Sequence, residues 1–296
     1  MSLPQGVQAY LTLARPHQYL KNVLLFAPLF FGGKLYDVPA LAATTLAFAA
    51  FCLSASAVYT LNDLCDAGSD RRHPTKRHRP VASGVITPSR AGIFGGALLL
   101  AGLGFAMALG SAGFAAALGL YLAVNAGYSL ALKHYSVTDV LLIASGFVIR
   151  IHAGGVVSGV AVSEWLVVIT FLLSLFLALG KRRDDLLQEE EAGGQLRKSL
   201  DGYNLEFVTS AMTMMAAVVI VGYILYTVSP EVEARHGSRH LYLTGFWVIA
   251  GILRYLQLTL VERKSGSPTW VLIHDGYLQL TIAMWIVSFL VIIYAS

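Results

Sequence analysis

Apolar residues in this chain fall in runs of about twenty separated by short polar connections, the length that crosses a hydrocarbon layer as helix. Read as spans, the runs cover 16–33, 40–61, 90–109, 113–132, 137–158, 164–181, 207–228, 241–260 and 277–295. The pattern predicts an all-α polytopic membrane bundle of about nine transmembrane helices, forming one integral membrane domain over 1–296. Connections 110–113 and 159–163 are short and uncharged, as turns between antiparallel helices should be.

The composition agrees, with 56% apolar and 13% charged residues and a positive mean hydropathy. These values exclude an ordinary soluble domain. With the N-terminus inside, sixteen Lys and Arg lie on the cytoplasmic side and three (Lys34, Arg235, Arg239) outside, while Arg150 and Arg254 fall within helices. That bias predicts a plasma-membrane (inner-membrane) protein with a cytoplasmic N-terminus and an external C-terminus. No basic segment precedes the first apolar stretch, so no cleaved leader is expected and the first helix should anchor the chain. The net charge of +4 sits in a few loops, which fits topology and anionic ligands and argues against nucleic acid. Cys52 and Cys65 imply neither a disulfide framework nor a cysteine metal site.

The pattern breaks most sharply over 54–84, where an apolar run gives way to acids and then bases. Asn62, Asp63, Asp66 and Asp70 read N-D-x-x-D-x-x-x-D. If the helix carrying Val58 and Leu61 continues, the three acids share one face. Carboxylates that close repel one another unless a cation bridges them. Mg2+ takes one or two protein carboxylates and leaves its other positions to water and phosphate, so the cluster implies a phosphorylated ligand. Arg71, Arg72, His73, Lys76, Arg77, His78 and Arg79 follow as donors for phosphate oxygens, with Pro74 and Pro80 ending the helix. The alternative is a topological loop, which accounts for the bases but not the acids.

Three other cytoplasmic connections carry charge and can converge with this block on one cavity. Lys21 and Asn22 precede an apolar run, either as an interfacial anchor or pointing into the cytoplasmic mouth. Tyr128 and Lys133 end the fourth span, a weak signal alone. Arg150, with His152 nearby, lies deep in a span, where an ionisable group normally faces a polar cavity or partner. Lys181, Arg182 and Asp185 open a second charged loop and are placed beside the site. Asp185 and Glu189, one helical turn apart, are either a second acidic metal site or part of an exposed, ion-paired helix; Glu189 to Glu191 read as solvated surface.

Together these residues resemble the UbiA-type prenyltransferase superfamily. RPHQYLKN, SASAVYTLND, HPTKRHRPVASG, LKHYSVTD, IRIHAGG, GKRRDDL, RKSLDGY and ILRY are similar to its decaprenyl-phosphate phosphoribosyltransferase branch, and the resemblance covers nearly the whole chain. It implies Mg2+ and diphosphate binding by Asn62, Asp63, Asp66 and Asp70. It also implies sugar or phosphate contacts from His73, Lys76, Arg77 and Arg79, with Lys21, Tyr128, Lys133, Lys181 and Arg182 closing the cavity; Asp63, Asp66, Asp70 and Lys181 are the expected catalytic groups. The implied substrates are phosphoribosyl diphosphate and a polyprenyl phosphate lipid. The second loop departs from the aromatic prenyltransferases: Gln188 stands four residues after Asp184 and Glu189 four after Asp185, so a full second D-x-x-x-D is missing. Asp185 also stands where that branch commonly has Glu.

The leading expectation is therefore a membrane phosphoribosyltransferase that releases diphosphate. The alternatives are an aromatic prenyltransferase using a polyprenyl diphosphate in quinone or haem synthesis, and a transporter or lipid-binding protein. Acids at the cytoplasmic surface and the lack of an evident inverted repeat weigh against the last. The sequence leaves polyprenyl length open, and a homo-oligomer too.

Overall fold

The computed structural model describes residues 5–72, 76–192, 198–263 and 266–294. In order these form α1 (Gln5–Ala14), a 3-10 helix (Pro16–Phe26), α2 (Ala27–Phe31), α3 (Val38–Asp70), α4 (Pro88–Ala108), α5 (Ala112–Leu130) and α6 (Thr138–Ser158). They continue as α7 (Glu164–Ala192), α8 (Leu205–Thr227), α9 (Pro230–His236), α10 (Gly245–Leu260), α11 (Pro268–His274) and α12 (Gly276–Tyr294). No strand occurs among the described residues.

Among the described residues eight helical stretches are long and apolar enough to cross a membrane: α3 to α8, the stretch Leu241–Leu260 that contains α10, and α12. The chain is an integral membrane protein. The predicted first span is built differently, as the 3-10 helix followed by the short α2. Arg15 adopts a left-handed conformation with φ 54°, which separates α1 from the 3-10 helix, and Pro16 disfavours a continuous α-helix through that point. Pro28, in the first turn of α2, has no N–H to give to the preceding turn.

Two predicted boundaries move outward. The second span continues past residue 61 to Asp70, and the sixth continues past 181 to Ala192. The α7 extension is rich in Arg, Leu, Gln, Glu and Ala, which favour helix once the hydrocarbon is left behind, whereas the α3 extension is mostly Asn, Asp, Ser and Gly and owes its helix to tertiary ion pairs through Asp63, Asp66 and Asp70. Asp37 caps α3 by accepting from the Ala40 N–H at 3.1 Å, and Asn204 caps α8 by accepting from the Phe207 N–H at 2.7 Å.

The chain divides into two compact units, 1–134 with 145–162 and 135–144 with 163–296. In the first, Leu25, Phe51, Phe114, Leu118, Tyr121 and Ile149 form the main core. Two glycines make its close approaches possible, the usual means of helix packing where apolar burial gives no advantage over lipid. At Gly102 of α4 an added Cβ would meet the Ala50 carbonyl at 3.0 Å. At Gly154 of α6 it would collide with the Leu25 carbonyl, so only glycine lets the 3-10 helix lie this close to α6. In the second unit α7 pairs with α8, and Phe176, Met212, Tyr255 and Leu278 belong to one core. Ile93 (75% exposed) and Met107 (81%) show that α4 turns large apolar side chains outward, as expected towards lipid.

Candidate functional site

Helix α3 carries Cys52, Ser56, Tyr59, Asp63, Asp66 and Asp70 at alternating spacings of four and three, which puts them along one stripe. At its acidic end each carboxylate is met by a base from elsewhere in the chain. Asp63, 2% exposed, accepts from Arg15 Nη2 and from Arg79 Nη1 at 3.2 Å. The same Arg79 nitrogen donates to Asp70 Oδ2 at 2.7 Å, and Lys133 Nζ donates to Asp66 Oδ1. Arg15 also lies over the Tyr59 ring, 5.3 Å from its centre. Burial pulls the Arg15 pKa below the ordinary guanidinium value, with Asp63 opposing the shift.

The other end of the stripe is cationic. Arg150 of α6, 5% exposed, donates from Nε to Asn22 Oδ1 at 2.7 Å, from Nη1 to the Gly146 carbonyl at 2.8 Å and from Nη2 to the Tyr121 hydroxyl at 3.2 Å. Its guanidinium stacks 4.7 Å from the centre of the Tyr121 ring. Asn22, fully buried, gives its amide N–H to Cys52 Sγ at 3.2 Å, which turns its carbonyl towards Arg150. Gly154 lies one α-helical turn after Arg150, and Leu25 three residues after Asn22, so their backbone approach brings these two partners together. Tyr19 and Ser56 share a 2.9 Å hydrogen bond, and Ser56 donates to the Ala14 carbonyl at 2.7 Å.

In the second unit charged residues pair both along α7 and with residues well removed in sequence. Arg182, 1% exposed, donates from Nε to Asp139 Oδ2 at 2.7 Å and from Nη1 to Asp185. Asp139 Oδ1 accepts from the Tyr203 hydroxyl at 2.8 Å, and that hydroxyl accepts from the Val137 N–H at 2.6 Å. Val137 has φ 65°, a costly conformation for a β-branched residue, held by this clamp. Burial first, and then Asp139, push the Tyr203 phenol above its ordinary pKa, so it remains a donor. Gln188 donates to Asp184 at 2.8 Å one turn along α7.

A membrane helix bundle with an N-D-x-x-D-x-x-x-D face matches the model of the UbiA prenyltransferase family over residues 23–271. The chain belongs to that family. It is 35% identical over 301 residues to a protein of Mycolicibacterium smegmatis named decaprenyl-phosphate phosphoribosyltransferase, an overlap of 98% of this chain and 94% of that one. A protein of the same name from Mycobacterium tuberculosis is 36% identical, over 93% of this chain and 90% of its own. A UbiA homologue from Archaeoglobus fulgidus bound to GPP and Mg2+ shares the fold with a TM-score of 0.72 at 21% identity, covering 96% of this chain and 99% of that one.

Several predicted positions in this UbiA-family chain now have definite surroundings. Asp63, Asp66, Asp70, Arg79 and Lys133 come together, as do Asn22 and Arg150, while Lys21, half-buried, is within electrostatic reach of Arg150. Arg182 and Asp185 pair with each other. Lys76 begins a 3-10 turn, Lys76–His78, and exposed Arg77 bonds to His78 at 3.3 Å. Tyr128 is half-buried and Lys181 exposed, both engaged with neighbours. His73 lies outside the described residues. His152 is exposed.

Sequence reasoning did not assign Arg15, Tyr121 or Tyr203 to a site. Arg15 and Tyr203 lay within RPHQYLKN and RKSLDGY or beside them, whereas Tyr121 sits in an apolar run with nothing to mark it.

Among the described residues no three His, Cys, Asp or Glu side chains converge as a metal cage. Such a cage is not what Mg2+ requires. The fit rests on the donor chemistry: two buried carboxylates, Asp63 and Asp70, a third at Asp66, and the Asn62 Oδ1, a buried oxygen with no hydrogen-bond partner. These are hard oxygen donors, and an orphaned buried amide oxygen beside them is a free position for a hard cation.

Proposed function

We propose that this protein is a membrane phosphoribosyltransferase that moves 5-phosphoribose from phosphoribosyl diphosphate to a decaprenyl-type polyprenyl phosphate and releases diphosphate. The observation that carries the reading is the acidic face of α3, whose three carboxylates are held by bases drawn from distant parts of the chain. The names of relatives at about one-third identity over nearly the full length support this choice of substrates.

Asn62, Asp63, Asp66 and Asp70 would hold Mg2+. When bound, the metal neutralises charge on the departing diphosphate. Arg15, Arg79 and Lys133, now paired with those acids, would turn to the diphosphate oxygens as the bond to the anomeric carbon lengthens. The electron-deficient carbon is then met by an oxygen of the acceptor phosphate, with inversion. That oxygen is already ionised, so no general base is needed, in keeping with the absence of a nucleophile and base pair among the described residues at the acidic end. Arg182 and Asp185 serve as positioning residues in their own unit, and Lys76, Arg77 and Tyr128 are substrate contacts in theirs.

The positive-inside bias supports a cytoplasmic active site in the plasma membrane, acting as a single transferase domain. The test is transfer of label from phosphoribosyl diphosphate into the lipid phase by purified protein. The reading expects labelled lipid only when polyprenyl phosphate and Mg2+ are both present. A preparation that instead prenylates an aromatic acid from a polyprenyl diphosphate overturns it.

A further inference from the structure

Charge is distributed unevenly along the α3 stripe. At the acidic end, three carboxylates face three bases. Cys52 lies eleven residues before Asp63, about 16 Å along the helix axis, and beside it the balance is different. Arg150 is buried, yet its hydrogen bonds go only to neutral groups: an amide, a backbone carbonyl and a phenol. Those bonds use three of the five guanidinium N–H groups. The side chain of Lys21, which precedes the Asn22 that Arg150 bonds, makes no hydrogen bond or ion pair among the described residues and feels the like charges of Arg150 and Arg15.

A purely structural role accounts for part of this. Arg150 ties the 3-10 helix to α5 and α6, which explains its three bonds. It does not explain a second, unpartnered cation placed where it is repelled by the first. Two electrostatically coupled cations, one of them buried and neither paired with a carboxylate among the described residues, carry a desolvation and repulsion cost that a bound anion would relieve. The anion that fits is compact and doubly charged, because the two cations offer two charges and several unused N–H donors. Nothing at this end could hold a bridging metal, since Asn22, Tyr121 and Cys52 supply no carboxylate. The site is thus unlike the diphosphate site.

We infer that Lys21 and Arg150, framed by Asn22 and Tyr121, form a phosphomonoester site separate from the carboxylate end of α3. The inference rests on the proposed transferase reading for the identity of its ligand. Under that reading both substrates carry such a group, the donor at its ribose 5-phosphate and the acceptor at its lipid head.

Calorimetric titration of the full-length protein separates the two sources, with ribose 5-phosphate, farnesyl phosphate, and inorganic diphosphate with Mg2+ as probes. Lys21→Gln is the first variant, because that side chain has no internal partner whose loss could unfold the chain. The expected result is a weakening of about tenfold or more for one monoester, with Mg2+-diphosphate within about twofold of wild type. Lys21→Arg should restore most of the affinity, and Arg150→Lys should show the same selectivity. Loss confined to ribose 5-phosphate assigns the site to the donor, and loss confined to farnesyl phosphate assigns it to the acceptor. Both monoesters unaffected, neither bound by wild type, or an equal loss for diphosphate would overturn the inference. These titrations need no turnover, so an enzyme that bound the monoester yet transferred no label would count against the transferase reading alone.

Discussion

Helices α3 and α7 both run past their apolar stretches into acidic turns, yet their acids are satisfied in opposite ways. On α3, Asp63, Asp66 and Asp70 take their partners from residues 48, 16, 67 and 9 positions away in sequence. On α7, Asp185 pairs with Arg182 three residues before it and Asp184 with Gln188 four residues after it. These two α7 pairs are ones a helix makes within itself, although Arg182 also reaches Asp139 and Asp184 also accepts from the Gly266 backbone. The α3 pairs require the fold to bring in cations from the end of α1, the loop after α3 and the end of α5. Pairs assembled at that cost in chain ordering, on the same turn of helix as an unpartnered Asn62 oxygen, are why the end of α3 is the one proposed to bind ligand.

The sharpest way to break this contrast is Asp63→Asn. It should lower transfer by about 10² to 10³-fold, the scale of losing a group that stabilises transition-state charge. A variant that retains wild-type rate and magnesium response would show that the α3 acids are merely structural. Gly154→Val should come next. The added side chain collides with the Leu25 backbone and should cost about 1–3 kcal/mol of stability, read as a lower thermal unfolding midpoint and as weakened phosphate-ester binding through the displaced Asn22. An unchanged midpoint would mean that the 3-10 helix is not pressed against α6.

Asp185→Asn sharpens the contrast from the other side. Because Arg182 keeps Asp139, the rate should fall by less than about tenfold with the magnesium requirement intact. A loss as large as that for Asp63→Asn would make the two acidic ends equivalent. The smallest effect should be that of Tyr203→Phe, about 1 kcal/mol in thermal stability from one lost buried hydrogen bond. A loss of turnover without loss of stability would place Tyr203 in contact with substrate instead.

Much of the acidic end could be read from the sequence because it is local: three acids at spacings of three and four on a continuing helix need no tertiary information. Lys21, Asn22, Lys133 and Arg150 were marked by polarity next to or inside apolar runs. Their pairings were not visible, since they join residues as far apart as 128 positions. Arg15 shows why. A single base just before Pro16 at a membrane boundary looks topological, and only the left-handed turn at Arg15 and the buried Asp63 reveal it as a partner of the α3 acids. Hydropathy also cannot separate 3-10 from α-helix, so the geometry of the first span had to come from its prolines and its contact with Gly154. On α7 the helix-forming composition beyond residue 181 favoured continuation, but the end of the apolar run suggested a boundary there.

The most direct test of a metal-dependent site on α3 is titration of inorganic diphosphate into wild-type protein and into the Asp63→Asn and Asp185→Asn variants, each with and without Mg2+. The expected result is metal-dependent binding that is lost in Asp63→Asn and kept in Asp185→Asn. Binding that ignores the metal, or that both substitutions abolish alike, would contradict it.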